Sequence, residues 1–403
     1  MAGGVGSYDI SLDQPFQGSK LLEGYITTWK SPMKHNTLNN PTKNIKKSST
    51  ARVNVYIEIL ALIQMLFCGL PAFGQSTSSV SSHRYNHVKA TEPTNNTQIL
   101  LLGTAGGPPL HKDRSEPSSV LIVDGRYYLI DCGIGTMRRL IRAGIRSDSI
   151  KTIFITHHHP DHDLGLVDVL ANDYFEIGPA DSTHPITIYG PPETKKLVKL
   201  AFDYIRIPYE VFSSEGIGPK KVASPFIVHE NRHNGLVYRD DKIRVTVVEN
   251  THYRLMPAAK RKELKSFSYR IETPHGVIVF TGDTGPSDAV TRLAKGADVL
   301  VTEVLDRPTI DKHADEMPKK LLAHMRQEHL SEQEVGKLAS KAQVGAVLLH
   351  HFVPAAGVAP TTFVAGVKKY YSGTVFAGSD LQRYCLSTRS DTRKNTPTLT
   401  LCH

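Results

Sequence analysis

From residue 98 onward, short runs of apolar and β-branched residues alternate with stretches in which apolar residues recur every three or four positions. The first pattern predicts β-strands and the second predicts amphipathic helices. The predicted strands are 98–103, 119–123, 127–131, 151–156, 186–189, 243–249, 266–272, 277–281, 298–302 and 346–349. The predicted helices are 137–143, 164–171, 193–204, 288–294, 331–342 and 361–371. The early strands are joined by the hairpin signal Asp124-Gly125, and later connections are mixed, which favours two packed sheets with helices outside them over one doubly wound sheet.

The first 96 residues follow a different pattern. Residues 1–52 are rich in Gly, Ser, Asn, Thr and Lys without a sustained apolar period, and we predict a disordered leader. Residues 53–74 combine a mostly apolar run, a basic flank before it and a small-residue end, Ala72-Phe73-Gly74, which is typical of a secretory signal cleaved after Gly74. We predict a linker over 75–96, one domain over 97–386 and a C-terminal tail over 387–403.

This leader predicts an exported protein, either periplasmic or secreted, and a cytoplasmic protein is the alternative. A membrane anchor is disfavoured, because the apolar run is shorter than the roughly 20 residues that cross a bilayer and because Glu58 would be costly at the bilayer centre. Stable membrane insertion is therefore not expected.

The net charge of +9 suggests a nucleic-acid partner until the charge is located along the chain. Residues 1–90 hold nine Lys/Arg against four Asp/Glu, a net of +5, so the remaining residues carry only +4. The nucleic-acid hypothesis is weakened accordingly.

The cysteines predict neither a metal site nor a complete set of disulfides. Cys132, Cys385 and Cys402 lack paired metal-type spacing, and three cysteines cannot all pair within one molecule.

The densest group of candidate metal ligands follows the predicted strand 151–156. His157, His159, Asp161 and His162 place four such side chains within six positions. His157 and His159 are two residues apart and project to one side of an extended chain, whereas His158 projects away. Imidazole and carboxylate together suit zinc, with manganese or iron as alternatives.

Three other predicted strands also end in polar ligand types. His252 follows 245–250, and Asp283 follows 277–281 through a glycine that lets the backbone turn. His350 and His351 follow 346–349 and compete for one position, because successive side chains of a strand point in opposite directions. The histidines that lack this context are predicted to lie at the surface: His229, His233, His275 and His313.

The run THHHPDHDLG (156–165) matches the HxHxDH signature of the metallo-β-lactamase superfamily, and the order of the other motifs resembles its tRNase Z and arylsulfatase-like branch. These motifs are LLGTAGGPP (101–109), YLIDCGIG (128–135), ENTH (249–252), VFTGDT (279–284), ADVLVTEV (297–304), EHLS (328–331) and VLLHHFVP (347–354). The resemblance covers residues 98–386. It implies an α/β (α+β) fold, a four-layer αββα sandwich with the site at one edge.

The resemblance also implies two divalent metal ions, zinc foremost. The implied ligands are His157, His159 and His252 for one ion, Asp161, His162 and His351 for the other, and Asp283 bridging both. His351 is preferred to His350 because the family ligand is commonly followed by two residues and a proline, as in 351–354.

Further residues acquire roles from the same resemblance. His329 resembles the histidine of a His-x-Ser/Thr element that lies near the scissile phosphate in tRNase Z-like enzymes, which implies a catalytic role. Ser331 and Glu334 also fit a capping box, which alone would explain the segment. Asp131 and Glu303 would orient ligand imidazoles, or would make only local hydrogen bonds.

The implied reaction is hydrolysis of a phosphodiester or sulfate ester by a metal-bridged hydroxide, with Asp161 holding the nucleophile and His329 assisting the leaving group. The sequence favours a small-molecule ester as substrate. The nearest candidate for a tRNA-gripping arm, 213–221, is short, and an exported enzyme would not meet precursor tRNA in a bacterial cell.

The alternatives belong to different classes. The first is a tRNase Z-like endoribonuclease that processes the 3′ end of tRNA, with nucleic acid as a partner that the sequence does not favour. A basic cluster at 260–262 with Lys265, close to His252, suits a phosphate or sulfate, or is a solvated loop. The second is a non-catalytic or redox member of the same fold. This alternative is disfavoured, because every expected ligand position is filled. A homodimer is common among such relatives.

Overall fold

The computed structural model describes residues 96–177, 185–216, 224–354, 356–388 and 397–402. The predicted leader 1–52, the predicted signal 53–74 and nearly all of the linker 75–96 lie outside the described residues. Among the described helices, none is long and apolar enough to cross a membrane.

The elements follow the predicted alternation. The strands are β1 (Thr97–Gly103), β2 (Ser118–Val123), β3 (Arg126–Ile130), β4 (Ile150–Phe154), β5 (Thr187–Gly190), β6 (Ile227–Glu230), β7 (Gly235–Arg239), β8 (Arg244–Glu249), β9 (Phe267–Thr273), β10 (Gly276–Phe280), β11 (Val299–Leu305), β12 (Ala346–Val353), β13 (Thr374–Ala377), β14 (Arg383–Thr388) and β15 (Pro397–Leu401). The α-helices are α1 (Thr136–Arg142), α2 (Pro160–Asp163), α3 (Leu166–Ile177), α4 (Thr194–Ser214), α5 (Ala258–Glu263), α6 (Asp288–Leu293), α7 (Arg307–Lys312), α8 (Lys319–Glu328), α9 (Glu332–Ala342) and α10 (Pro360–Lys368).

The described strands form two sheets, one in the order β15-β14-β1-β2-β3-β4-β5-β6 and the other in the order β13-β12-β11-β10-β9-β8-β7. In the first sheet β3 to β6 run parallel, and in the second β10 to β13 run parallel. Parallel strands direct their carboxyl ends to one edge of a sheet, where ligands bind in sheets of this kind. The loops that follow β3, β4 and β10 carry candidate site residues to such edges, and β12 itself carries His351 near its carboxyl end.

The two sheets pack face to face, and each is also covered on its outer face. Along β1, Ile99 and Leu101 point into the layer between the sheets, whereas Leu100 and Leu102 point to the helices outside. This two-residue alternation explains why β1 is apolar throughout, since both of its faces are buried.

Helices complete the outer layers. Helices α1, α3 and α4 cover the first sheet, and α6, α9 and α10 cover the second. Their apolar faces include Leu140 and Val169 on one side and Val290 and Val335 on the other. The result is the predicted four-layer αββα sandwich.

The domain continues past residue 386, where the sequence analysis placed its end. Strand β14 runs to Thr388, and β15, which lies in the predicted tail, pairs antiparallel with it. A disulfide between Cys385 and Cys402 joins this pair, while Cys132 is buried as a free thiol. The sequence could not predict β15, because it has only five residues, two of them threonine, and because its pairing depends on the neighbouring strand β14.

Candidate active site

The motif loop begins where β4 ends. His157 and His159 lie in the extended segment before α2, and Asp161 and His162 lie in the first turn of α2. Pro160 stands at the first helical position, where its fixed φ suits the start of a helix and its missing N–H is not needed. Strand, proline and short helix thus turn these side chains toward a common point.

His157, His159 and His252 form a first group of candidate metal ligands, the first ligand group, with one ring nitrogen of each within 4.8 Å of the others. Nε2 of His252 lies 2.9 Å from Nδ1 of His159. Nδ1 of His252 donates to the backbone oxygen of Glu328 at 2.8 Å, which fixes the orientation of the ring.

Asp161, His162, Asp283 and His351 form the second group, within the same 4.8 Å limit. Nε2 of His351 lies 3.3 Å from Oδ2 of Asp161 and 3.1 Å from Oδ2 of Asp283. Oδ2 of Asp283 is also 3.9 Å from Nε2 of His252, in the first group. Asp283 therefore lies between the two groups, where the sequence analysis expects a bridging residue.

Asp131 supports the second group from behind. Nδ1 of His162 donates to Oδ2 of Asp131 at 2.9 Å, and the backbone N–H of Thr156 donates to Oδ1 at 2.7 Å. The backbone N–H of Gly107 donates to Oδ2 of Asp161 at 2.9 Å. These contacts restrict the direction in which His162 and Asp161 point.

Glu303 holds a different ring from the one expected. Nδ1 of His329 donates to Oε2 of Glu303 at 2.5 Å, and the backbone N–H of Thr284 donates to Oε1 at 2.6 Å. The sequence analysis expected Glu303 to orient a ligand imidazole. In the structure it orients His329, because the end of β11 lies beside the start of α9.

Burial and charge divide the histidines into two kinds. Burial lowers the pKa of His157 and of His252 well below its usual value, so both rings are neutral near pH 7 and can offer a lone pair. Burial also acts against protonation of His351, but Asp283 and Asp161 outweigh it and raise the pKa of His351 to about 10. The negative charges of these two buried carboxylates thus favour a positive charge between the two ligand groups, and a divalent ion supplies such a charge.

Buried polar atoms without partners test whether metal ions fit this site. Nε2 of His157, Nε2 of His162 and Oδ1 of Asp283 are buried and lack a hydrogen bond within the described chain. Leaving such atoms buried and unpaired is costly, and all three face the two ligand groups. Nitrogen and carboxylate oxygen are ligands that zinc accepts, so the residues fit a pair of divalent ions.

The remaining predicted histidines lie away from the ligand atoms. His158 is turned toward Asp163 and Thr194, with ring nitrogens 2.8 and 3.1 Å from their oxygens. His350 is buried as well, but His351 is the one that belongs to the second group. His229 and His233 are exposed, as expected, while His275 and His313 are partly exposed and face Asp124 and Glu316.

The sequence analysis missed two residues of this site. His324, on α8, has Nε2 3.3 Å from Nε2 of His329. Glu328 accepts a hydrogen bond from Nδ1 of His324 at 2.6 Å. Their spacing of four residues on a helix is a signal for such a pair, but the charged segment 319–328 had not been predicted as a helix.

Comparison with known proteins agrees with this geometry. The family model described as the β-lactamase superfamily domain matches residues 126–352 of this chain. This chain belongs to that superfamily. It is a metal-dependent hydrolase acting on ester bonds, and members of the fold typically bind two divalent metal ions.

Individual relatives and one solved structure are also similar to this chain. Ribonuclease Z of Mycobacterium bovis is 30% identical over 290 residues, covering 71% of this chain and 97% of that protein. Ribonuclease Z of Mycolicibacterium paratuberculosis is 28% identical over 296 residues, with the same coverage of 71% and 97%. The metallo-β-lactamase fold protein YhfI from Bacillus subtilis superposes with a TM-score of 0.52 at 17% identity, over 72% of this chain and 99% of that one, which supports the fold alone.

Proposed function

We propose that this hydrolase is an endoribonuclease of the ribonuclease Z kind, which cleaves precursor tRNA at its 3′ side. The observation that carries the proposal is the 30% identity to ribonuclease Z of Mycobacterium bovis over 97% of that protein. The sequence analysis placed a small-molecule ester first and RNA second. We reverse that order, because the relatives that match nearly full length are ribonucleases.

The site supplies the parts that phosphodiester hydrolysis requires. We propose that the two ligand groups would hold two zinc ions, which would supply water activated near neutral pH and positive charge for the phosphoryl oxygens. Asp161, held by Gly107, and Asp283 are proposed to position the attacking water. His329 is proposed to donate the proton of Nε2 to the leaving oxygen, since its Nδ1 is committed to Glu303.

A cavity lined by basic side chains supports an RNA substrate. This open cavity of about 470 Å³ is lined by Arg232, Lys262 and Lys265, together with Glu249. Glu249 stands three residues before the candidate ligand His252 in the sequence. Cations clustered in this way can contact the phosphates of a nucleic acid.

A direct assay tests the proposal. The purified protein, with zinc and after chelation, is incubated with a 3′-extended precursor tRNA and with bis(p-nitrophenyl) phosphate. We expect cleavage of the precursor at its 3′ side, loss of cleavage on chelation and recovery with zinc. Turnover of the small diester without any cleavage of the precursor would contradict the proposal.

A second candidate is an exported hydrolase of small phosphodiesters. The Cys385–Cys402 disulfide favours it, because disulfides persist in oxidising compartments, and so does the signal pattern of residues 53–74. Expression in the native host followed by fractionation and amino-terminal sequencing decides between the candidates. An exported protein that begins at Gln75 would favour the second candidate, and an uncleaved cytoplasmic protein would favour the first.

A further inference from the structure

His324 is a second imidazole beside the proposed catalytic His329. It lies on α8, and its side chain is 26% exposed, whereas that of His329 is 4% exposed. It is thus the more open ring of the pair. Its ring centroid is 5.0 Å from that of His329 and 5.3 Å from that of the ligand His252.

Glu328 fixes which nitrogen of His324 faces the centre. Nδ1 of His324 donates to Oε2 of Glu328 at 2.6 Å, and the other carboxylate oxygen accepts from the backbone N–H of Leu255 at 2.7 Å. An ionised carboxylate only accepts hydrogen bonds, so the Nδ1 of His324 carries a proton. With Nδ1 committed, the ring presents Nε2 to His329.

The contact between the two rings assigns the role of that nitrogen. Both Nδ1 atoms are committed to carboxylates, so the 3.3 Å contact between the Nε2 atoms of His324 and His329 requires one proton between them. The proposed function makes His329 the proton donor through Nε2, so His329 is the donor in this 3.3 Å contact and Nε2 of His324 is the acceptor.

We propose that His324 accepts a hydrogen bond from the 2′-hydroxyl of the nucleotide whose 3′ oxygen leaves, and so selects RNA over DNA. This inference rests on the proposed function. When the P–O3′ bond breaks, His329 gives its proton to O3′, and the acceptor next to it is left facing the adjacent carbon of the ribose. The group on that carbon is a donor in RNA and is absent in DNA.

The experiment compares substrates that differ in one oxygen. Precursor tRNA is prepared with either a ribonucleotide or a 2′-deoxynucleotide immediately 5′ of the scissile phosphate, and a dinucleoside monophosphate is prepared in the same two forms. For the wild-type protein we expect kcat/KM to fall about tenfold on removal of the hydroxyl. For His324→Ala we expect the ribo form to fall by a similar factor and the ribo-to-deoxy ratio to approach one.

Two further variants serve as controls for this comparison. Glu328→Gln keeps the backbone contact to His252 but weakens the hold on Nδ1 of His324, so its ratio should lie between those of wild type and His324→Ala. His313→Ala removes a histidine that is 44% exposed and pairs with Glu316, and it should keep the wild-type ratio. Metal content is measured in each variant.

The outcomes separate this inference from the proposed function. A wild-type ratio in His324→Ala, or loss of a metal ion from that variant, overturns the inference, since His324 would then be idle or a ligand. Cleavage of the dinucleotide but not of the precursor contradicts the proposed function and leaves the role of His324 to be decided by the dinucleotide ratio. A wild-type protein that cleaves no ribonucleotide ester overturns both.

Discussion

Asp283 is the residue on which the two ligand groups converge, because its Oδ2 lies within 3.9 Å of ring nitrogens from both. The backbone reaches it through Gly282, whose φ of +56° suits glycine, and a Cβ there would approach Thr156 to 2.9 Å. One carboxylate at this position can serve both ions, so its loss cannot be compensated by a neighbour.

Removing Asp283 should therefore disable the whole centre. We expect Asp283→Ala, and likewise His162→Ala, to lower turnover of any phosphodiester at least a thousandfold and to reduce bound metal below two ions per chain. Metal analysis and circular dichroism check this, and His229→Ala serves as an exposed control. Full activity in a folded Asp283→Ala protein would refute the ligand assignment.

At the scale of single residues, Glu332 should make the stability of the folded protein depend on pH. Burial and the neighbouring Asp306 raise the pKa of Glu332 to about 7 from an ordinary 4.5. The native state keeps this proton between pH 4.5 and 7 while the unfolded chain loses it, so the stability that protonation supplies is present below pH 4.5 and is lost as the pH rises through 7.

We expect Glu332→Gln to be more stable than wild type by about 1–2 kcal/mol at pH 8, after allowance for solvent screening, and to match it at pH 4.5. Urea unfolding at the two pH values measures the difference. The exposed Glu215→Gln should show no change at either. An equal effect of Glu332→Gln at both pH values would argue against the raised pKa.

At the scale of elements, the loop after β1 is packed against the first turn of α2. A Cβ on Gly107 would lie 2.4 Å from Cβ of Asp161 and 2.7 Å from its Oδ2. Because these atoms cannot approach so closely, glycine is required where the loop supports the ligand.

Gly107→Ala should thus displace Asp161 and weaken the second ligand group. We expect at least a hundredfold loss of turnover with loss of one metal ion and a smaller change in unfolding free energy. Gly296→Ala is the matched control, because φ is +64° there and the added Cβ meets nothing within 4 Å. It should cost about 1–2 kcal/mol of stability without loss of metal. The opposite pattern would contradict the role given to Gly107.

For the whole molecule, the location of charge matters more than its total. The net charge of +9 includes +5 from residues 1–90, so basic groups of the catalytic domain act through local clusters. The cavity lined by Arg232 and Lys262 is one such cluster. Its contribution to RNA binding should be visible as a dependence on salt.

We expect the double variant Arg232→Glu, Lys262→Glu to lower kcat/KM for precursor tRNA at least tenfold relative to that for bis(p-nitrophenyl) phosphate. The slope of log kcat/KM against log salt concentration should decrease by about 2, one for each cation. Lys295→Glu, an exposed residue before the amino end of β11, should leave the slope unchanged. An unchanged slope in the double variant would place the RNA elsewhere.

The sequence alone predicted the layers of the fold and the residues that the structure brings together in the two groups of candidate ligands. Strands such as β1 were predicted because burial on both faces leaves a continuous apolar run, and αββα packing is the arrangement that the motif order implies. His157 and His159 were predicted because a two-residue spacing in an extended chain fixes the common side of two side chains. These features depend on residues that are close in sequence.

Only the tertiary structure decided which distant groups meet. Gly107 supports Asp161 across 54 residues, and Glu303 orients His329 across 26, although it had been expected to hold a ligand. The contact of His324 with His329 depends on where the end of α8 meets β11 and α9. The position of β15 depends on β14, the strand with which it pairs. Local periodicity carries no information on such contacts, because they are set by how the sheets and helices pack.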